Sequence, residues 1–322
     1  MTVRRQRLLA LGVGLGLAFA SVGAASASGG GSDRPEKFMP IRGQVNAAGH
    51  GRPVKSKNLT FHGGNPGVVT GLDLVYLVTW GSGWNGGAND PSGEVALLQN
   101  FFAKVGGSAW NNSVTQYCQG VAVGTVTCGT NGVHAANPSG TLLGGTWNDT
   151  TNAAPAHPSQ TDLAGEAVRA AAHFGNTTSA INAQVQYVIL TATGNNASGA
   201  GTQYCAWHSS TSSSYGTLAY TNMPYVTDFG ASCGADFNGL GANAGITIVE
   251  GHEFAETESD IFPNGGWLDG GGAENADKCA WISSGQGASA NVTFGGTNST
   301  FPVQSLWSNA FNSNAGGCVL SY

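Results

Sequence analysis

The chain has 322 residues, 41% of them hydrophobic and only 9% charged, with 51 glycines and a formal net charge of −6. Eight Trp, 13 Phe and 8 Tyr supply material for a core, which excludes a disordered chain of low hydrophobicity and high net charge. Glycine keeps no three-residue period, which excludes collagen, and 12 basic against 18 acidic residues leave no basic stripe for nucleic acid.

Arg4, Arg5 and Arg7 precede an apolar run from Leu8 to Ala20, and Ala25-Ser26-Ala27 is a small-x-small sequence. That pattern predicts a secretory signal peptide over residues 1–27 and a secreted, extracellular protein. No other stretch reaches about 18 successive apolar residues, so no membrane span is expected. Residues 28–57 are polar and comparatively basic, with Arg34, Lys37, Arg42, Arg52, Lys55 and Lys57. They read as a disordered arm or a short pro-segment. The remainder, 58–322, is expected to form one domain, as a monomer.

Within it, Asp73–Trp80 is β-branched and aromatic and predicts a strand. Ser92–Val105 has apolar residues at helical spacing, with Ser92 and Glu94 as start signals. Val114–Cys128 is expected to be a hairpin. Thr161–His173 opens on polar residues and runs into alanines, a helix. Val185–Ala192 predicts a buried strand, Thr217–Tyr220 a shorter edge strand, and Ala242–Glu258 a helix interrupted only by Gly245 and Gly251. The Gly/Ser/Asn-rich stretches 195–215 and 284–300 read as loops, and everything after Ser259 as loops and short strands.

Six cysteines, in no C-x-x-C pair, predict three disulfides in an exported protein. Of the fifteen pairings six cysteines allow, the sequential one, Cys118–Cys128, Cys205–Cys233 and Cys279–Cys318, closes local loops and is the expectation.

The sparse charges are unevenly placed. Eight of the 18 acidic residues lie between positions 250 and 277, with Lys278 the one adjoining base. So many carboxylates repel one another unless a positive charge sits among them. His252-Glu-Phe-Ala-Glu256 lies on the last helix, where i and i+4 share a face, so His252 and Glu256 can hold one cation. Glu253 lies between them, within reach of water at the open position. This is the layout of H-E-x-x-H zinc hydrolases with a carboxylate in place of the second imidazole. A catalytic zinc site uses three protein ligands. Glu274, 18 residues beyond Glu256, Asp277 and His208 are the candidates for the third, and Asp277 is also a candidate acceptor for the His252 ring.

Leu59–Gly71, Val75–Trp84, Leu97-Leu-Gln-Asn-Phe-Phe102, Tyr204-Cys-Ala-Trp-His-Ser209, His252–Glu256 and Glu274-Asn-Ala-Asp-Lys-Cys279 together resemble the EXORDIUM, or phosphate-induced protein, family over about residues 59–320. The resemblance implies a secreted, disulfide-bonded fold, and plant members are cell-wall proteins linked to growth. The order of elements also resembles that of zincins. It leads to the expectation of a single α+β, zincin-like domain: a mixed sheet, backing helices, an active-site helix and a loop-rich C-terminal part. In that fold a substrate peptide lies beside an edge strand, here Thr217–Tyr220.

Two functions are therefore expected as alternatives. One is a metallopeptidase-like hydrolase using Zn²⁺, with His252, Glu256 and Glu274, Asp277 or His208 as ligands, Glu253 as general base, and a peptide or cell-wall polymer as substrate. The other is a non-catalytic cell-wall-associated module with a structural Ca²⁺ held by Asp260, Asn264, Asp269, Glu274 and Asp277, and with Trp80, Trp84, Trp207 and Trp267 as sugar-stacking candidates.

Overall fold

The computed structural model describes residues 37–44 and 58–322. Residues 1–27, expected to be a signal peptide, and most of the expected arm, 28–36 and 45–57, lie outside the described residues. Six strands form a mixed sheet: β1 (Met39–Pro40), β2 (Leu74–Trp80), β3 (Leu143–Asp149), β4 (Val185–Thr191), β5 (Tyr204–Ser213) and β6 (Gly216–Met223). Their spatial order is β1-β5-β6-β4-β2-β3. β3, β2, β4 and β6 run parallel, while β5 turns back antiparallel to β6 through a hairpin, and β1 pairs antiparallel with β5.

Side chains alternate across β2 and β4, so each face of the sheet receives its own apolar set. Tyr76, Val78, Trp80, Val185, Tyr187 and Ile189 meet Leu163, Ala167, Ala170 and Ala171 of helix α2 (Gln160–His173). Val75, Leu77, Val188 and Leu190 join the core built by helix α1 (Glu94–Lys104) and helix α3 (Ala244–Ser259). α2 begins with a capping box in which Ser159 and Asp162 exchange hydrogen bonds. α1 is started by Asp90 rather than Ser92: its carboxylate accepts from the N–H groups of Glu94 and Val95 at 2.8 and 3.1 Å. Gly245, which weakens α3 in propensity, has a steric reason. A Cβ there would lie 2.0 Å from the Cys233 carbonyl oxygen, so only glycine lets the helix start pack this closely.

Several expectations are corrected. Val114–Cys128 is not a hairpin. A 3₁₀ turn occupies Asn111–Gln116, and Cys118–Gln119 pairs with Val133–His134. The segment 195–215 is not all loop, because Tyr204–Ser213 is a strand. Its Ser/Thr-rich second half is only partly buried, so it lacks the apolar alternation that would reveal it. The hairpin places that strand outside Gly216–Met223. Thr217–Tyr220 is therefore an interior strand, and β5 lies outside it, its far edge paired only at Tyr204 and Ala206 with the two-residue β1. Within 284–300, Ala290–Thr293 pairs with Thr300–Val303. The arm is not wholly disordered either: residues 37–44 lie against the domain, with Met39 fully buried.

Three disulfides join Cys118 to Cys128, Cys205 to Cys233 and Cys279 to Cys318. The second ties β5 to the 3₁₀ turn that leads into α3. The third ties the turn Asp277–Cys279 to the C-terminal strand Gly317–Val319. Among the described residues no helix is long and apolar enough to cross a membrane.

Candidate metal centre

A helix buried on all sides is ordinarily apolar all round. Every residue of α3 is buried, yet it carries Glu250, His252, Glu253, Glu256 and Glu258, each 0% exposed. Buried charges persist only when paired or metal-bound, so the partners of these groups decide what the helix does.

The His252 ring is fixed from behind. Its Nδ1 lies 3.2 Å from Oε1 of Gln304. The Gln304 amide nitrogen already donates to the carbonyls of Ala276 and Ser305 at 2.8 and 3.2 Å, so its oxygen accepts and Nδ1 is the donor. Nε2 of a neutral ring then presents a lone pair. It faces Glu256 Oε1 at 3.0 Å and Asp277 Oδ1 at 3.7 Å, and has no hydrogen-bond partner there. The ligand atoms of His252, Glu256 and Asp277 lie within 4.8 Å of one another. Ligands bonded at about 2.0–2.2 Å around a tetrahedral ion stand about 3.3–3.6 Å apart, and the two observed separations bracket that spacing. One further oxygen each of Glu253 and Glu256 is buried without a hydrogen bond. The donor set and its orphaned atoms fit a zinc-like ion.

Among the described residues, two groups bring ligand atoms within 4.8 Å of one another: His252, Glu256 and Asp277, and His208, Glu253 and Glu256. Glu256 belongs to both. Glu274 belongs to neither, and stands instead with His208. Glu274 Oε2 is 3.2 Å from His208 Nε2, which is 3.8 Å from Glu256 Oε2, while His208 Nδ1 meets the Thr257 hydroxyl at 3.1 Å. Glu274 and Asp277 flank the start of the 3₁₀ turn Asp277–Cys279. The Asp277 carboxylate folds back to accept from the Glu274 N–H at 3.1 Å, and the Asp277 N–H donates to Glu256 at 2.9 Å. Nor is Asp277 the acceptor for the second ring nitrogen of His252, a role Gln304 takes.

Electrostatics follow from this crowding. Burial first, then Asp277 and Glu274, push Glu256 well above the carboxylate range. Burial likewise raises Glu253 and Asp260. Burial would also raise Glu274, but His208 and Lys37 outweigh it and hold that acid below its ordinary value. For His208 burial works downward, yet Glu274, Glu256 and Asp260 lift it to about 9.

Lys37, on the arm, is a cation the sequence reading did not attach to this cluster. Its ammonium is 9% exposed, donates to the Gly272 carbonyl at 2.5 Å and lies 3.8 Å from Glu274 Oε2. Met39 beside it donates its N–H to Glu253 Oε1 at 3.2 Å. Lys278, the base adjoining the acids in sequence, is spent on Asp269 at 2.9 Å. Asp269 and Asp260, two of the residues named for a calcium cage, also accept turn N–H groups at Gly271–Ala273 and Asn264–Gly265. The four tryptophans named as sugar platforms are at most 2% exposed; they are core.

Gly230-Ala-Ser-Cys-Gly234 has the lettering of a nucleophile elbow, but Ser232 donates to the carbonyls of Phe229 and Gly201 and Cys233 is in a disulfide. No described histidine is among the hydrogen-bond partners of Ser232.

A separate acid pair lies further along α3. Glu258 accepts from Asn111 at 2.8 Å and shares a hydrogen bond with Asp73. Burial lifts Asp73 to about 7 even though that bond works downward. An acid raised in the folded state stabilises the fold below its unfolded pKa, and the contribution is lost as pH rises through the folded one. Asp73→Asn removes this loss, and Asn also suits the positive φ of 50° at this position. The melting temperature of the variant relative to the unaltered chain is expected to climb between pH 4 and 8, by at most about 4 kcal/mol in stability. A pH-independent difference contradicts it.

No protein-family model, curated protein or solved structure matches the chain.

Proposed function

We propose that the protein is a secreted zinc-dependent, peptidase-like hydrolase of the EXORDIUM type on a zincin-like fold. The observation that carries this reading is the His252 ring, whose Nδ1–H is tied to Gln304 and whose Nε2 lone pair is buried against two carboxylates. A lone pair and two carboxylates so close repel one another, and a cation among them relieves that repulsion. Strand order supports the fold: a parallel set ending in an antiparallel outer strand, with the motif helix packed beside it.

His252, Glu256 and Asp277 would hold the ion. When bound, zinc lowers the pKa of water and polarises a carbonyl. Glu253 is the general base. Its Oε2 is buried and free of hydrogen bonds, and the low-dielectric surroundings that raise its pKa make it a stronger proton acceptor. The His208 ring faces the same cluster and is placed to donate to negative charge developing on a substrate oxygen. Three disulfides accord with an extracellular setting.

The test is metal removal. Purified protein is expected to carry about one zinc per chain by elemental analysis. Chelation is expected to lower the melting temperature, and zinc but not calcium to restore it. Metal-free protein whose melting ignores chelator, or restoration by calcium alone in a His252→Ala variant, contradicts the reading; the latter outcome favours the calcium module.

A further inference from the structure

We propose that residues 37–44 are a self-inhibiting strap, in which the Lys37 ammonium supplies the acid cluster with the positive charge it otherwise takes from a metal ion. The inference rests on the metal reading above and names how that site is regulated.

The strap has three contacts with the site, each of which opposes a different requirement of hydrolysis. Lysine is almost never buried unless paired, and Lys37 is drawn in by Glu274, Asp277, Glu256 and Asp260 together. A dication among those acids cancels much of that attraction and repels the ammonium. Metal and Lys37 therefore weaken each other by the same factor, as linkage requires. The second contact is the Met39 N–H on Glu253, which occupies one oxygen of the base. The third is the pairing of Met39 with Ala206 and Pro40 with Tyr204, which covers part of the free edge of β5. That edge is where an extended chain would add as a strand.

The strap joins the sheet only through the two residues of β1 at its end. A two-residue pairing is weak alone. It is supplemented by the Met39 side chain, fully buried, and by Trp281, which donates to the Pro40 carbonyl at 2.6 Å. Arg42 donates to Ser232 and Ala231 and lies 4.6 Å over the Phe237 ring. All these anchors lie within residues 39–42, so the strap can leave while the five longer strands keep their order.

The test is calorimetric titration of the full chain with zinc, comparing Lys37→Ala, Met39→Gly and Lys37→Arg with the unaltered protein. Folding of each is checked by circular dichroism. Lys37→Ala and Met39→Gly are expected to bind zinc about tenfold more tightly, and Lys37→Arg, which keeps the charge, to stay close to the unaltered chain. Zinc is also expected to speed deuterium exchange at the Met39 and Arg42 amides by about tenfold. Equal zinc affinity in all four proteins, with exchange at those amides unmoved by zinc, overturns the strap and leaves the metal reading standing. No zinc binding in any of the four overturns the metal reading and the strap with it.

Discussion

Glu253→Gln is expected to keep zinc and to lower peptide hydrolysis by about a hundred- to ten-thousand-fold, the usual contribution of a positioned general base. Gln has the size of Glu and keeps an oxygen for the Met39 N–H, so the helix is not disturbed. What it loses is the ability to take a proton. Zinc is retained because His252, Glu256 and Asp277 form a ligand set without Glu253. The alternative set, His208, Glu253 and Glu256, gives the opposite result: zinc is lost with the carboxylate. Steady-state kinetics on a strap-released background, together with the zinc content of the variant, separates these cases. Unchanged hydrolysis with zinc still bound removes Glu253 from the chemistry.

Loss of the Cys279–Cys318 disulfide is expected to have the largest effect on stability. It closes a loop of sequence separation 39, against 28 and 10 for the other two. Chain entropy gives about 4 kcal/mol for the longest and about 3 kcal/mol for the shortest. Over a domain of this size, 4 kcal/mol is a fall of about 8–16 °C in melting temperature. The longest bridge also anchors the turn Asp277–Cys279, so its double serine variant is expected to bind zinc more weakly as well. Removing Cys118–Cys128, which bonds no residue of that turn, is expected to leave zinc affinity unchanged. Differential scanning calorimetry and zinc titration on the two double variants check both statements. Equal losses of affinity in the two would contradict the link between this bridge and the site.

Parts of this arrangement are legible in the sequence, for physical reasons. β2, β4 and the three main helices announce themselves because apolar periodicity and cap residues act locally. The acid cluster stands out because so few charges occur elsewhere, and α3 concentrates them where a helix brings i and i+4 together. Other parts depend on contacts between distant segments. β5 carries His208 but reads as a Ser/Thr loop, because its polar half needs only the hairpin with β6 to form. Gln304 is uncharged and lies 52 residues from His252, so no spacing marks it as the partner that sets the ring's tautomer. Lys37 lies 235 residues from Gly272; a basic arm reads as solvated until the fold shows which acids it faces. The placement of Glu274 beside His208 and of Asp277 beside His252 is hidden for the same reason. It turns on a three-residue reversal in which one acid caps the backbone of the other.

The most direct measurement of the central claim is anomalous diffraction at the zinc edge from crystals of the purified protein. The account expects one peak on α3, about 2.0–2.2 Å from His252 Nε2 and from a carboxylate oxygen each of Glu256 and Asp277, and gone on the low-energy side of the edge. Absence of a peak there after zinc soaking, or a peak at the Asp260–Asp269 turns instead, contradicts it.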